Sequence, residues 1–566
     1  MRWLSRNLRK PGLIVALVIS TAAAAAVAVP TAVRAQAQQT TPPYLAAFPS
    51  FAPALTADMP GDVDIALKQR LEQAGDFAKV QREFDLNAWQ MFLALNWPTN
   101  DQGQPAPRIE DTSFGPPHWT LWHNSSSIFQ DKGAVPEACA KPPQQRQLVL
   151  TRNLAVPVSA GLPAFRTASE TSVAARTTRF LGVISAVGEL NAANLGGDTK
   201  QAFTGPLIDQ NGNFVFYEIM IDPNEVGYLC DNNLYNINGE VAFSGSGGKV
   251  NMPIGHPQQN GSGSFELKLA WKVIAGKDDP SRLFTQQAEI IDQGNDGKPV
   301  KKTVQVGLVG MHIGHKSETS PQWIWATFEQ VDNLDVDSVA HRDLHPSFFD
   351  PGCPICTVNV QPQPDPRTRL YPRTPVQASR TIPIPADKVA LNREAQAVLA
   401  KPGSVWQYYQ LIDTQWPTVP SSQPPAWNSG LSQAVSNKPG GQPTPVFLTN
   451  ITMETYFQSG NQPACNQEEN VPSSANCPPD YASLAPGTAI SAYAPDPPIW
   501  TTPLNNGSPA KPGISTQIMA TESCMGCHSS AGIVTAYDPK TGSKKTAGQL
   551  SADFSWLLSQ KAQFAP

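Results

Sequence analysis

The apolar and polar positions of this chain mark short elements, most of them strands. Phe265-Glu-Leu-Lys-Leu-Ala-Trp-Lys272 alternates with period two, which buries one face of a strand and leaves the other wet. Val304 to Ile313 is apolar on both faces, as in a strand covered on two sides. Asp209-Gln-Asn-Gly212 reads as a turn, and Asn213 to Met220 after it as a further strand. Helical spacing is rarer. Asp85 is placed to cap a short amphipathic helix whose stripe of Leu86, Trp89, Phe92 and Leu93 ends at Trp97 and Pro98. Asn392 to Leu399 and Ser404 to Asp413 read as helices. So does the tail from Ser551 to Ser559, where Phe554, Leu557 and Leu558 share a face. No repeat and no heptad run is present.

Composition sharpens this pattern at one point. The 566 residues include 55 prolines, close to twice the usual share. Each proline fixes a dihedral and removes a backbone donor, so long helices cannot dominate. Residues 357–386 and 417–446 are proline-rich connectors, and 459–515 resemble irregular surface loop.

The N-terminal segment changes the reading of charge and compartment. Residues 1–37 hold five basic and no acidic side chains, an apolar run from Leu13 to Val29, and a small-residue site at Ala35-Gln-Ala37. This is the pattern of a cleaved Sec-type signal, which places the mature protein in the periplasm or outside the cell. No second apolar stretch is long enough to span a bilayer, so no stable membrane span is expected after cleavage. Without the segment, 36 basic residues face 46 acidic ones. An acidic surface repels phosphate backbones, which argues against nucleic acid as a partner.

The candidate chemistry lies near the C-terminus, in Cys524-Met-Gly-Cys527-His528. Two cysteines three apart share one side of a helical turn, where each thiol can add to one haem vinyl group. The adjacent histidine then supplies an imidazole nitrogen to iron. The expectation is one covalent haem c held by Cys524 and Cys527, with His528 as axial ligand. Residues 529–566 contain no methionine and no histidine, so a downstream methionine cannot fill the sixth position. That position is filled from upstream, filled by a lysine, or open. His312 and His315 are the notable upstream histidines. Three apart on a strand, they point to opposite faces, so both cannot serve one ligand. His312 is taken as a second haem-pocket residue, although a hydrogen-bonded core histidine is the commoner fate.

Six cysteines remain if Cys524 and Cys527 hold haem, an even number that suits an oxidising compartment. Loop proximity favours Cys465 with Cys477, and either Cys353 with Cys356 or longer pairings involving Cys139 and Cys230. His341, His345, Cys353 and Cys356 could instead form a four-ligand metal site, a less favoured choice in an exported chain. His118, Trp119, Trp122 and His123 read as a packed aromatic cluster. Gly245 to Val250 fails the dinucleotide fingerprint, because valine stands where the third glycine belongs.

Val306-Gly-Leu-Val-Gly-Met-His-Ile313, continuing into Trp323 to Asn333, resembles a family of bacterial exported cytochrome-c-like proteins with a single haem motif. Trp89 to Pro98, Leu207 to Tyr217, Asn450 to Phe457 and the haem motif are similar as well. The resemblance implies haem at Cys524, Cys527 and His528 and one recurring architecture; it implies no substrate.

The expected fold is therefore α+β: a β-rich, loop- and proline-rich large domain with short helices, and a C-terminal helical segment for haem c. The expected divisions are a signal (1–37), an extended arm (38–75), a β-rich domain (76–356), proline-rich connectors with short helices (357–515) and the haem segment (516–566). The expected role is electron transfer to an unknown redox partner protein. The alternative is a haem-dependent peroxidase or oxygenase whose large upstream domain forms a substrate pocket.

Overall fold

The computed structural model describes residues 43–140, 179–181, 205–257, 261–276, 278–294, 299–334, 346–353, 356–363, 365–368, 370–380, 384–417, 450–458, 524, 528, 531–547 and 551–566. Residues Thr41–Pro566 cluster as one compact unit. The chain is mixed α and β, with a largely antiparallel eight-stranded sheet and short helices.

The strands are β1 (His123–Asn124), β2 (Arg179–Leu181), β3 (Phe216–Ile221), β4 (Phe265–Val273), β5 (Thr285–Gln293), β6 (Pro299–His315), β7 (Ile324–Gln330) and β8 (Tyr409–Gln415). Strand β6 is the spine. One edge pairs with β4 from Val306 to His315, while the other pairs first with β5 and then, from Gly310 onward, with β7. Its 17 residues let it serve three neighbours, and the expected two-sided apolar run lies at its centre. Strands β3 and β1 continue the sheet beyond β4, β8 continues it beyond β7, and β2 joins β5 in parallel.

Five longer helices are α1 (Ile65–Gln73), α2 (Phe77–Leu95), α3 (Pro223–Asp231), α4 (Ile237–Gly245) and α5 (Ala386–Ala400), and the tail ends in the short α6 (Leu557–Lys561). Several sequence expectations need correction here. Helix α2 begins at Asp76, whose side chain accepts from the Lys79 amide, nine residues before the expected cap. Asp85 lies inside the helix with its carboxylate 2.7 Å from Lys388 of α5, so it serves an ion pair and not a cap. The arm expected over 38–75 contains α1, capped by Asp64. Ser404 to Asp413 is one 3-10 turn followed by β8, not a helix. Strand β8 is covered on both faces, so it shows no period-two alternation in sequence.

Two apolar cores flank the sheet. The larger is built from α2, α5 and one face of β4, β6, β7 and β8 around Trp89, Phe92, Phe328 and Trp271. The smaller holds Ile221, Trp323 and Trp325 of the sheet side, Leu229 and Ile237 of α3 and α4, and Ala531, Ile533, Phe554, Leu557 and Leu558 of the tail. The tail also forms a two-stranded hairpin, β9 (Val534–Asp538) with β10 (Ser543–Thr546). Two disulfides are formed, Cys139–Cys230 and Cys353–Cys356. Among the described residues no helix is long and apolar enough to cross a membrane.

Candidate functional site

Cys524 and His528, four residues apart, both have helical backbone. Cys524 packs against the smaller core, and His528 leans on β7, its ring centroid 4.3 Å from that of Trp325. Cys527 lies outside the described residues, as do Met519, Met525, His341, His345, Cys465 and Cys477.

The His528 ring is held by one specific bond. Its Nδ1 lies 2.7 Å from the Phe554 carbonyl oxygen, which can only accept, so Nδ1 carries the proton. Nε2 is left as the nitrogen with a lone pair. Burial pushes the imidazole pKa down to about 4, against the upward pull of the Phe554 carbonyl. The neighbouring His312 and Lys268 add to the depression, and Glu454 opposes it. At neutral pH the ring is therefore neutral, the form that can donate to a metal.

The helix expected at Ser551 is absent, and the reason matters for this bond. Asp553 and Phe554 both adopt left-handed backbone, with φ of 51° and 70°, which no helix accommodates. Helical residues resume only at Leu557. The reversal aims the Phe554 carbonyl at His528 while its ring fills the smaller core. Phe554, Leu557 and Leu558 are buried there as packing residues.

His312 is on the face of β6 that looks toward this segment. Its neighbours across the sheet are Lys268 on β4 and Thr327 on β7, and Trp325 pairs with Gly314 two residues further on. His312 Nε2 is 2.8 Å from Glu454 Oε1, and its buried Nδ1 has no hydrogen-bond partner. Glu454 is fixed in turn by the Asn450 amide, 2.9 Å from its second oxygen. Glycine at 310 permits this approach, since a Cβ there would lie 2.0 Å from Thr452 Oγ1. His315 points the other way, as strand geometry requires. It stacks on Phe265 at 4.0 Å, sits 2.6 Å from the Ser262 carbonyl, and has its pKa pushed down to about 3 by burial. His315 is a core histidine.

The chain matches no known protein family, curated protein or solved structure in the comparisons made.

These residues fit the implied haem on chemical grounds. A neutral imidazole with Nδ1 already committed to a carbonyl presents the correct nitrogen for axial ligation. Cys524, four residues earlier, packs against the smaller core, to which Trp325 beside His528 belongs. Sequence reasoning missed Phe554 as an orienting carbonyl, and missed Glu454. Neither carries a local sequence signal, because both reach the site only through tertiary packing. Among the described residues, no cluster of three or more His, Cys, Asp or Glu is placed to hold a bare metal ion.

Proposed function

We propose that this chain is an exported mono-haem c-type cytochrome that transfers electrons, with haem bonded through Cys524 and Cys527 and ligated by His528. The observation that carries the reading is the 2.7 Å contact from His528 Nδ1 to the Phe554 carbonyl, which leaves Nε2 available to iron. When bound, the haem supplies a one-electron couple whose potential follows its axial ligands, burial and hydrogen bonds. The protein's own residues do the rest. His528 is kept neutral by burial, its ring plane is set by Phe554, and Trp325 covers one side of it. An unidentified redox partner protein in the periplasm or outside the cell would complete the path. The two disulfides are compatible with such a compartment.

The deciding experiment is a pyridine haemochrome spectrum of protein matured in a host that attaches haem. Haem that survives acid–acetone extraction in the parent and is absent from Cys524→Ala/Cys527→Ala supports the reading. A parent chain without bound haem ends it.

A second reading, a haem-dependent peroxidase or oxygenase, is favoured by the His312–Glu454 pair beside the His528 segment. A histidine held by a carboxylate is a proton-handling group, and here it would face the haem pocket. Carbon monoxide separates the two. A reduced spectrum that does not change fits closed electron transfer, and a large shift fits an open iron position.

A further inference from the structure

Asp553 is 1% exposed, and its carboxylate is 2.5 Å from Lys316 Nζ, itself 1% exposed at the end of β6. The same Asp553 oxygen accepts from the Met252 amide at 2.6 Å, and Lys316 also donates to Asn251 at 2.7 Å. Around this pair lie the carboxyls of Glu225 and Glu266, both close enough to feel its charge. An ion pair buried this deeply is costly to maintain unless both partners stay in place. Asp553 also precedes the residue whose carbonyl orients His528, and both residues carry positive φ. Asp and Asn tolerate that region better than most residues, but Phe does not favour it. Something must hold Phe554 there.

We propose that Asp553, clamped by Lys316, is the positioning residue for His528. The ion pair pins the left-handed Asp553–Phe554 turn to the end of β6. The turn points the Phe554 carbonyl at Nδ1, and so fixes which imidazole nitrogen faces outward and how strongly it donates. Asp553 acts through Phe554 and does not itself touch the ring. The proposal deepens the haem reading and rests on it for its meaning, but the tautomer it asserts is a property of the chain alone.

The test uses the full-length mature protein with 15N-labelled histidine, in haem-free and haem-loaded forms. In the haem-free parent, His528 is expected as the Nδ1–H tautomer, with a slowly exchanging proton. Asp553→Asn is expected to lose that protection and mix the two tautomers, while the His315 signal stays unchanged. Where haem is attached, the same variant is expected to shift the midpoint potential upward at unchanged haem content, because a weaker hydrogen bond makes a less electron-rich ligand. Asp553→Glu is expected to restore part of both. Should Asp553→Asn fail to fold, Asp553→Asn/Lys316→Met removes both charges and strands neither. A variant that loses thermal stability yet keeps the tautomer and the potential overturns the proposal and leaves Asp553 a structural residue. A parent without haem ends the cytochrome reading, yet the haem-free tautomer still decides the positioning claim.

Discussion

At the residue scale, burial decides the protonation of the histidines, and His315 gives the cleanest case. Its folded pKa is pushed down to about 3 by complete burial, against about 6.5 in an unfolded chain. Below pH 6.5 the unfolded chain takes up a proton that the native state refuses, so stability falls as pH drops from about 6.5 toward 3. His315→Asn is expected to flatten that slope, read as the denaturation midpoint at pH 7 and at pH 4.5. An identical slope in both proteins would show that His315 titrates freely. The sequence separated His312 from His315 by strand parity alone, because side chains three apart on a strand leave opposite faces. What it could not supply was the partner of each. Glu454 and the Ser262 carbonyl are 142 and 53 residues away, and no local pattern encodes such distances.

Elements tell a similar story with a different cause. Strand β4 was legible in its alternation, but the face expected to be wet is half-buried at Glu266 and Lys268 and buried at Lys272. Strand β6 was legible in the apolar run at its centre, buried from Val306 to Met311. Helix α2 was legible in its second half only. Its first turns carry Lys79, Gln81, Arg82 and Glu83, a polar run that looks like loop until α1 and the tail of β8 are packed on it. Its true role for Asp85 is in the Lys388 cluster, where one ammonium from α5 meets Asp85 at 2.7 Å and Asp413 of β8 at 3.5 Å. Burial raises Asp85 to about 6 and Lys388 opposes that. Lys388→Met strands two carboxylates in the interior and is expected to cost about 3–5 kcal/mol, while Asp85→Asn/Lys388→Met costs less than the single change. Chemical denaturation of the three proteins measures the difference. Equal losses would mean that the lysine contributes packing and not charge. A second element-scale outcome concerns the 450–456 segment. Gly310→Ala places a methyl where Thr452 Oγ1 sits, so the segment must shift and draw Glu454 away from His312. A 15N histidine spectrum is expected to move at His312 and stay fixed at His315. Movement at both would indicate general loosening of β6.

For the whole molecule, the decisive fact is that the tail shares its core with the sheet. A haem motif placed after some 500 residues reads in sequence as an appended unit, with its own boundary near residue 516. The structure gives Phe554, Leu557, Leu558 and Ile533 no core of their own: their neighbours are Ile221, Leu229, Trp323 and Trp325. The Val534 amide donates to buried Glu240 of α4, and Asp553 is paired to the end of β6. Removing the tail would therefore expose a tryptophan-rich sheet face and leave Lys316 buried without its carboxylate, two costs that add. A chain ending at residue 515 is expected to lose near-ultraviolet circular dichroism, bind a hydrophobic dye and unfold at lower denaturant than the full chain. An independent haem module would predict the reverse, since cutting it away would leave the upstream fold and its tryptophan signals intact. Integration of this kind has a functional consequence. Because the segment carrying His528 is anchored on β7 through Trp325 and on β6 through Asp553, any partner that shifts those strands also shifts the imidazole, so the large upstream region is placed to set the properties of the site.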